Sequence, residues 1–299
     1  MKRTKKIQIY ILCAFCAAAA FFGAFCLYFG AKTEYNPALG YFDKGSVFAV
    51  ALYLSLALGA AAGIVSWVLF ARLKCADKPI PQKNVLTVIS CVLISAGIAA
   101  DCIEDAVEFF GAVSVKYSYI HYIMWILGAA AAVLMLVCAV PGKSNNPVHS
   151  LGYFVVPLFL ASKILIIYFD RSVAVNSPVK MISQVSLICF MLMFTAETGI
   201  SLGRGNIFPR WLCTLCISAA VGGVGGIGAL AVCLAGINFP GITLCDAAMM
   251  TAFSLYAFLR LISVPSMEIS PCRKAAGNAG KNAEPAESAV SSAEKGESE

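Results

Sequence analysis

Eight long apolar runs dominate this chain, at residues 7–30, 46–71, 85–108, 118–140, 151–169, 179–201, 211–236 and 243–264. Each approaches or exceeds the roughly 20 residues that carry a helix across about 30 Å of hydrocarbon. The runs are continuously apolar rather than alternating, which argues against the strands of a membrane barrel. In lipid only a helix or a closed barrel satisfies its own backbone. The expected fold is therefore all-α: a polytopic integral membrane protein with eight transmembrane helices. The third and fifth runs are the least clean. The third turns polar at Asp101, and the fifth carries Pro157 and Lys163. Both residues of the fifth are tolerated where neighbouring helices surround them.

Composition excludes the common soluble alternatives. Charged residues make up 13% of the 299 positions and hydrophobic ones 60%, against about 25% and about 45–50% in soluble domains. So few charges cannot cover the surface of a water-soluble enzyme of this length. The polar stretches between runs reach only about a dozen residues, and the C-terminal tail about thirty-five. A separate folded domain needs about 50 or more. An attached kinase, ATPase or nucleic-acid-binding domain is thus excluded, and the net charge of +6 reads as a topology signal with no nucleic-acid partner.

That signal orients the chain. With the N-terminus inside, sixteen Lys and Arg residues fall on the cytoplasmic side, from Lys2, Arg3, Lys5 and Lys6 through Arg72, Arg204, Arg210 and Arg260 to the tail. Five fall outside (Lys32, Lys44, Lys116, Arg171 and Lys180), and Lys163 lies within a span. The positive-inside rule then places both termini in the cytoplasm, N-in/C-in. Trp67 and Trp211 at cytoplasmic helix ends, and Tyr28, Tyr117, Tyr119 and Tyr168 at outer ones, are expected interface anchors. The run after Lys5-Lys6 is too long for a cleaved signal peptide and reads as an uncleaved anchor. Residues 1–270 form the expected membrane-embedded domain. Residues 271–299, rich in Ala, Gly, Ser, Glu and Lys, form an expected disordered cytoplasmic tail. No Asn-x-Ser/Thr sequon occurs, which leans toward a bacterial cell membrane.

The polar residues inside the spans carry what functional information there is. Asp101, Glu104, Asp105 and Glu108 share one helix face. They are either a solvated acidic face where the helix leaves lipid, or a vestibule that attracts cations. Carboxylates this close repel, so one should resist ionisation unless a base or cation sits among them. Counting rises of about 1.5 Å per residue puts Lys163 at roughly 18 Å from the cytoplasmic side, and Asp101, Asp246 and His121 at roughly 24 Å. A Lys163–Asp101 or Lys163–Asp246 pair follows, either fixing helix packing or handling a substrate or proton. On the cytoplasmic side, Glu197 stands seven residues before Arg204. An ion pair with Arg204 or Arg210 is expected there, with a gate as the functional alternative.

Other motifs have packing explanations. Cys13/Cys16 and Cys213/Cys216 form two Cys-x-x-Cys pairs, weak evidence for a metal or redox site on regular apolar helices. Gly223-Val-Gly225-Gly226-Ile-Gly228 matches a dinucleotide fingerprint but has no strand before it. Together with Gly59/Gly63 and Gly222/Gly226 it reads as close helix approach. Hydrolase and nucleotide-binding signatures are absent, and there are two histidines, His121 and His149. No enzyme, cofactor or metal is expected. The chain is read as a small-solute transporter or permease-like protein. The alternative is a non-transporting scaffold, assembly factor or sensory partner of another membrane protein. The candidate binding set is Asp101, Glu104, Asp105, His121, Lys163 and Asp246, with Glu197 and Arg204 as a cytoplasmic-side polar group.

Overall fold

A computed structural model describes residues 3–36, 40–75, 85–111, 118–140, 147–170, 177–237, 241–266 and 269–271. Eight helices account for nearly all of it: α1 Arg3–Thr33, α2 Val47–Phe70, α3 Val85–Gly111, α4 Ser118–Ala139, α5 Pro147–Phe169, α6 Pro178–Ser201, α7 Phe208–Leu234 and α8 Leu244–Ser263. All eight are long and apolar enough to cross a membrane. The protein is a multi-pass membrane protein. Most of the expected tail, residues 272–299, and Tyr117 lie outside the described residues.

Two pairs of very short antiparallel strands mark the ends of the bundle. β1 (Tyr35–Asn36) and β2 (Tyr41–Phe42) form a hairpin between α1 and α2, and its end is called the hairpin end below. At the opposite, terminal end, β3 (Leu73–Cys75) follows α2 and pairs with β4 (Ile269–Pro271), which follows α8. Neither pair was expected, because two- and three-residue strands leave no hydrophobic alternation to read.

The helices form a ring with an appended pair. α3, α4, α5 and α6 pack in succession, α6 meets α7, α7 meets α8, and α8 returns to α3. α1 and α2 pack on each other and on the outside of α7. This makes α7 the hub, with 78% of its most apolar window buried, which explains why its glycines are where they are. A Cβ on Gly226 would lie 2.7–2.9 Å from the α8 backbone at Met250 and Thr251, and one on Gly97 of α3 would lie 3.0 Å from Met249 Cα. Small residues there let backbones touch, the source of attraction when lipid is as apolar as the side chains. Gly59 and Gly63 of α2 abut Ala220 and Ile217 of α7, the packing role expected of them. Hydroxyls add ties between neighbours. Ser95 donates to Ala132 O (2.8 Å), Ser218 to Cys189 O (2.9 Å) and Ser254 to Ala219 O (3.3 Å), each worth about 0.6 kcal/mol in lipid.

Local signals set the helix starts. Ser177 caps α6 by accepting from Lys180 N, with Pro178 in the first turn. Thr243 and Asp246 form a reciprocal capping box on α8, which satisfies N–H groups that would otherwise be orphaned. Inside the ring, Phe159, Phe190, Phe194, Phe253, Met124 and Met193 are fully buried. They fill the middle of the bundle and separate two buried polar layers, one toward each end.

Candidate functional site

The hairpin-end layer is built on three helices. α3 supplies Asp101, α5 supplies Lys163, and the first turn of α8 supplies Asp246. Lys163 Nζ lies 2.8 Å from Asp101 Oδ1 and 2.9 Å from Asp246 Oδ1. Both of the alternative pairs expected from depth counting are present at once, on one ammonium. Asp246 is fixed from its other side, where Oδ2 accepts from the Thr243 N–H and hydroxyl, each at 3.2 Å. Its capping role sets where it stands, and Lys163 uses the remaining oxygen. Lys163 and Asp101 are 6% and 1% exposed, whereas the Asp246 side chain keeps 15% of its surface, so the triad is dry on its α3 and α5 sides and partly open at α8. A narrow cleft between α5, α6 and α8, lined by Ile167, Ser183, Leu187, Ile242 and Met249, reaches Asp246.

The other acidic residues of α3 fan outward from this point. Glu104 and Asp105 are half-buried and Glu108 is exposed. Glu104 faces the Cys245 thiol of α8. Asp105 turns toward α4, where its Oδ2 meets His121 Nδ1 at 2.9 Å and accepts from Trp125 Nε1 at 2.8 Å. Phe109 packs against both rings, with centroids 5.2 Å away. Of the six residues proposed as one binding set, the structure joins Asp101, Lys163 and Asp246 directly. Asp105 and His121 form an adjoining pair.

The terminal-end layer corrects an expectation. Glu197 of α6 is 1% exposed and does not pair with Arg204 or Arg210, both of which are exposed. Its Oε1 accepts from Arg260 Nη2 of α8, and also from the Tyr256 hydroxyl at 3.2 Å, while Oε2 accepts from Trp211 Nε1 of α7. The guanidinium sits 5.7 Å from the Trp211 ring centroid and 5.9 Å from that of Tyr256, within cation–π range. Arg260 is therefore not a charge on the cytoplasmic surface, and Trp211, fully buried, is not an interface anchor. Both stand near helix ends, where a sequence position fits snorkelling and pairing equally well. The available signal was the spacing on α8. Met250, Phe253, Tyr256 and Arg260 recur at helical intervals along one buried face, one turn on from the half-buried Asp246.

The two layers differ in charge balance. Glu197 and Arg260 cancel, and three donors satisfy the carboxylate. The triad has two carboxylates for one ammonium. The first arrangement suits a structural bolt. The second can exchange a charge, because a proton or the movement of one partner changes its net charge without dismantling it.

α1 and α7 do touch, and Cys16 and Cys216 meet there, both fully buried. Cys26, Cys102 and Cys245 are free thiols, and among the described residues no group of three or more His, Cys, Asp or Glu could hold a metal. No protein-family model, curated protein or solved structure matches this chain.

Proposed function

We propose that this multi-pass protein is an ion-coupled carrier of a small solute, in a form closed at both ends, with the Asp101–Lys163–Asp246 triad as its working site. In this reading it makes and breaks no covalent bond in its solute. It resides in a bacterial-type cell membrane with the terminal end in the cytoplasm and the hairpin end outside. The observation that carries the reading is the charge imbalance of the triad. An ion pair needs one carboxylate, and capping α8 uses only the other oxygen of Asp246, so a second carboxylate on the same lysine leaves an unbalanced charge in a largely buried site, which is costly. Intramembrane ionisable groups that survive this cost mark ion or substrate pathways. The ring of six helices around the triad, and the cleft reaching Asp246, support an access route. The cleft is narrow, with room for about one water molecule at most, in keeping with a closed form.

The dryness of Lys163 also supports a second reading, a non-transporting scaffold or sensory partner in which the triad fixes helix packing. One experiment separates them. Purified protein in liposomes is screened for solute uptake driven by imposed ion gradients, with Asp101→Asn and Lys163→Ala as controls. The carrier reading expects uptake that falls at least tenfold in both variants while folded yield in Asp101→Asn is retained. Solute fluxes indistinguishable from empty liposomes, or unchanged in both variants, would establish the scaffold reading instead.

A further inference from the structure

Two carboxylates and one ammonium leave the triad one negative charge in excess, and the geometry shows where that charge is met. Asp101 Oδ1 is taken by Lys163 and both Asp246 oxygens are engaged, but Asp101 Oδ2 is buried and has no hydrogen-bond donor. The Asp101 and Asp246 carboxyls converge on the one ammonium, where a bond between them would need a donor. Two ionised carboxylates are both acceptors and cannot make that bond. A carboxyl and a carboxylate can, as when like charges share a site and one proton stays behind.

We infer that Asp101 and Asp246 hold one exchangeable proton between them on Lys163, and that the ion bound at this site is H⁺ rather than a metal cation. The inference deepens the carrier reading and rests on it for its role in coupling. A metal cation is poorly served here. Hard cations take several oxygen ligands, six to eight for calcium, and the Lys163 ammonium already occupies the space between the carboxylates. A proton needs one free oxygen, and Asp101 Oδ2 is that oxygen. Uptake is an acid–base step alone: hydronium gives its proton to the Asp101 carboxylate, leaving water and a carboxyl whose O–H donates to Asp246. The site goes from net −1 to neutral, and release reverses the step.

The remaining titratable groups near the site stand on α3, α4, α7 and α8. On α3, Glu108 is exposed, Glu104 and Asp105 are half-buried and Asp101 is buried, so carboxyls line one helix face over successive turns of about 5.4 Å from the rim inward. α8 contributes Cys245 beside Glu104. α7 contributes Cys233, which donates to Thr243 O. α4 contributes His121, committed to Asp105, and Cys102 of α3 faces Gly128 of α4. The basic side chains among these groups are Lys163 and His121, so the face from Glu108 to Asp101 carries more acids than bases.

Infrared difference spectra of the full chain in lipid nanodiscs, recorded in H₂O and D₂O, read protonated carboxyls directly. The expected result is a protonated-carboxyl band at neutral pH of roughly one group per chain. It should shift in D₂O, disappear in Asp101→Asn, change in Asp246→Asn, and stay unaltered on adding sodium or potassium. No such band in the unsubstituted protein, a band that survives both substitutions, or one removed by sodium would overturn the inference. Should Asp101→Asn not fold, Asp246→Asn and the sodium titration decide. The band with no solute flux in liposomes would refute the carrier reading and leave the proton site standing. Flux that follows sodium in protein lacking the band would refute the proton site and leave the carrier.

Discussion

A lysine persists inside this bundle because two carboxylates hold it, so removing it should cost more than removing either partner. Lys163→Met strands two buried carboxylates, and a loss of about 3–5 kcal/mol is expected from breaking a buried ion pair on one side. Thermal unfolding in detergent measures it. The triple substitution Lys163→Met, Asp101→Asn, Asp246→Asn should recover most of that loss, since replacing a whole buried ionic set is often close to neutral. The amide that Asp246→Asn introduces keeps a carbonyl oxygen able to accept from the Thr243 N–H, so the α8 cap survives. A triple variant as unstable as the single one would show that these residues are not electrostatically coupled. At the other layer, Glu197→Gln leaves the Arg260 guanidinium buried without its counter-charge. A similar loss of about 3–5 kcal/mol is expected, partly restored by adding Arg260→Met. Arg204→Ala, at an exposed position, should change stability by less than about 0.5 kcal/mol. A large effect of Arg204→Ala and none of Glu197→Gln would restore the pairing that sequence proximity suggests.

Among the elements, α7 and α8 carry the arrangement. Gly226→Val would drive side-chain carbons into the α8 backbone at Met250 and Thr251 and should cost about 1–3 kcal/mol as overpacking. Gly111→Ala, where a Cβ meets nothing within 4 Å, should be neutral or slightly stabilising. Equal melting temperatures for the two variants would mean that α7 and α8 can part freely. The helices themselves were legible in sequence because run length and continuous hydrophobicity leave lipid-spanning helices as the simplest solution. Depth counting put Asp101, Lys163 and Asp246 at similar heights on three helices and so offered either of two lysine–aspartate pairs. It could not foresee that one lysine would take both partners, because helix order around the ring is set by small-residue contacts between helices distant in sequence. The Glu197 partner was missed for the same reason. Arg204 is seven residues away along the chain, whereas Arg260 arrives through the packing of α8. The Thr243–Asp246 capping box was in plain view as a sequence pattern, yet an acid near a helix start reads equally as a cap and as a ligand, and here it is both.

For the molecule as a whole, every depth and every proposed role depends on eight crossings that leave the hairpin opposite both chain ends. Arg260 and Lys180 are both buried, and leaving them out shifts the count behind that orientation only slightly, from sixteen against five to fifteen against four. Exposed large apolar residues such as Phe21, Val68, Phe110 and Ile126 are the lipid-facing surface this requires, since a soluble protein seldom shows so wide an apolar cover. Epitope tags inserted after Lys44, beside the open turn at Gly45, and at the C-terminus test the arrangement directly in membrane vesicles of known sidedness. Protease should reach the hairpin tag from the outer face and the C-terminal tag only from the cytoplasmic face. Cleavage of both tags from the same face would contradict it.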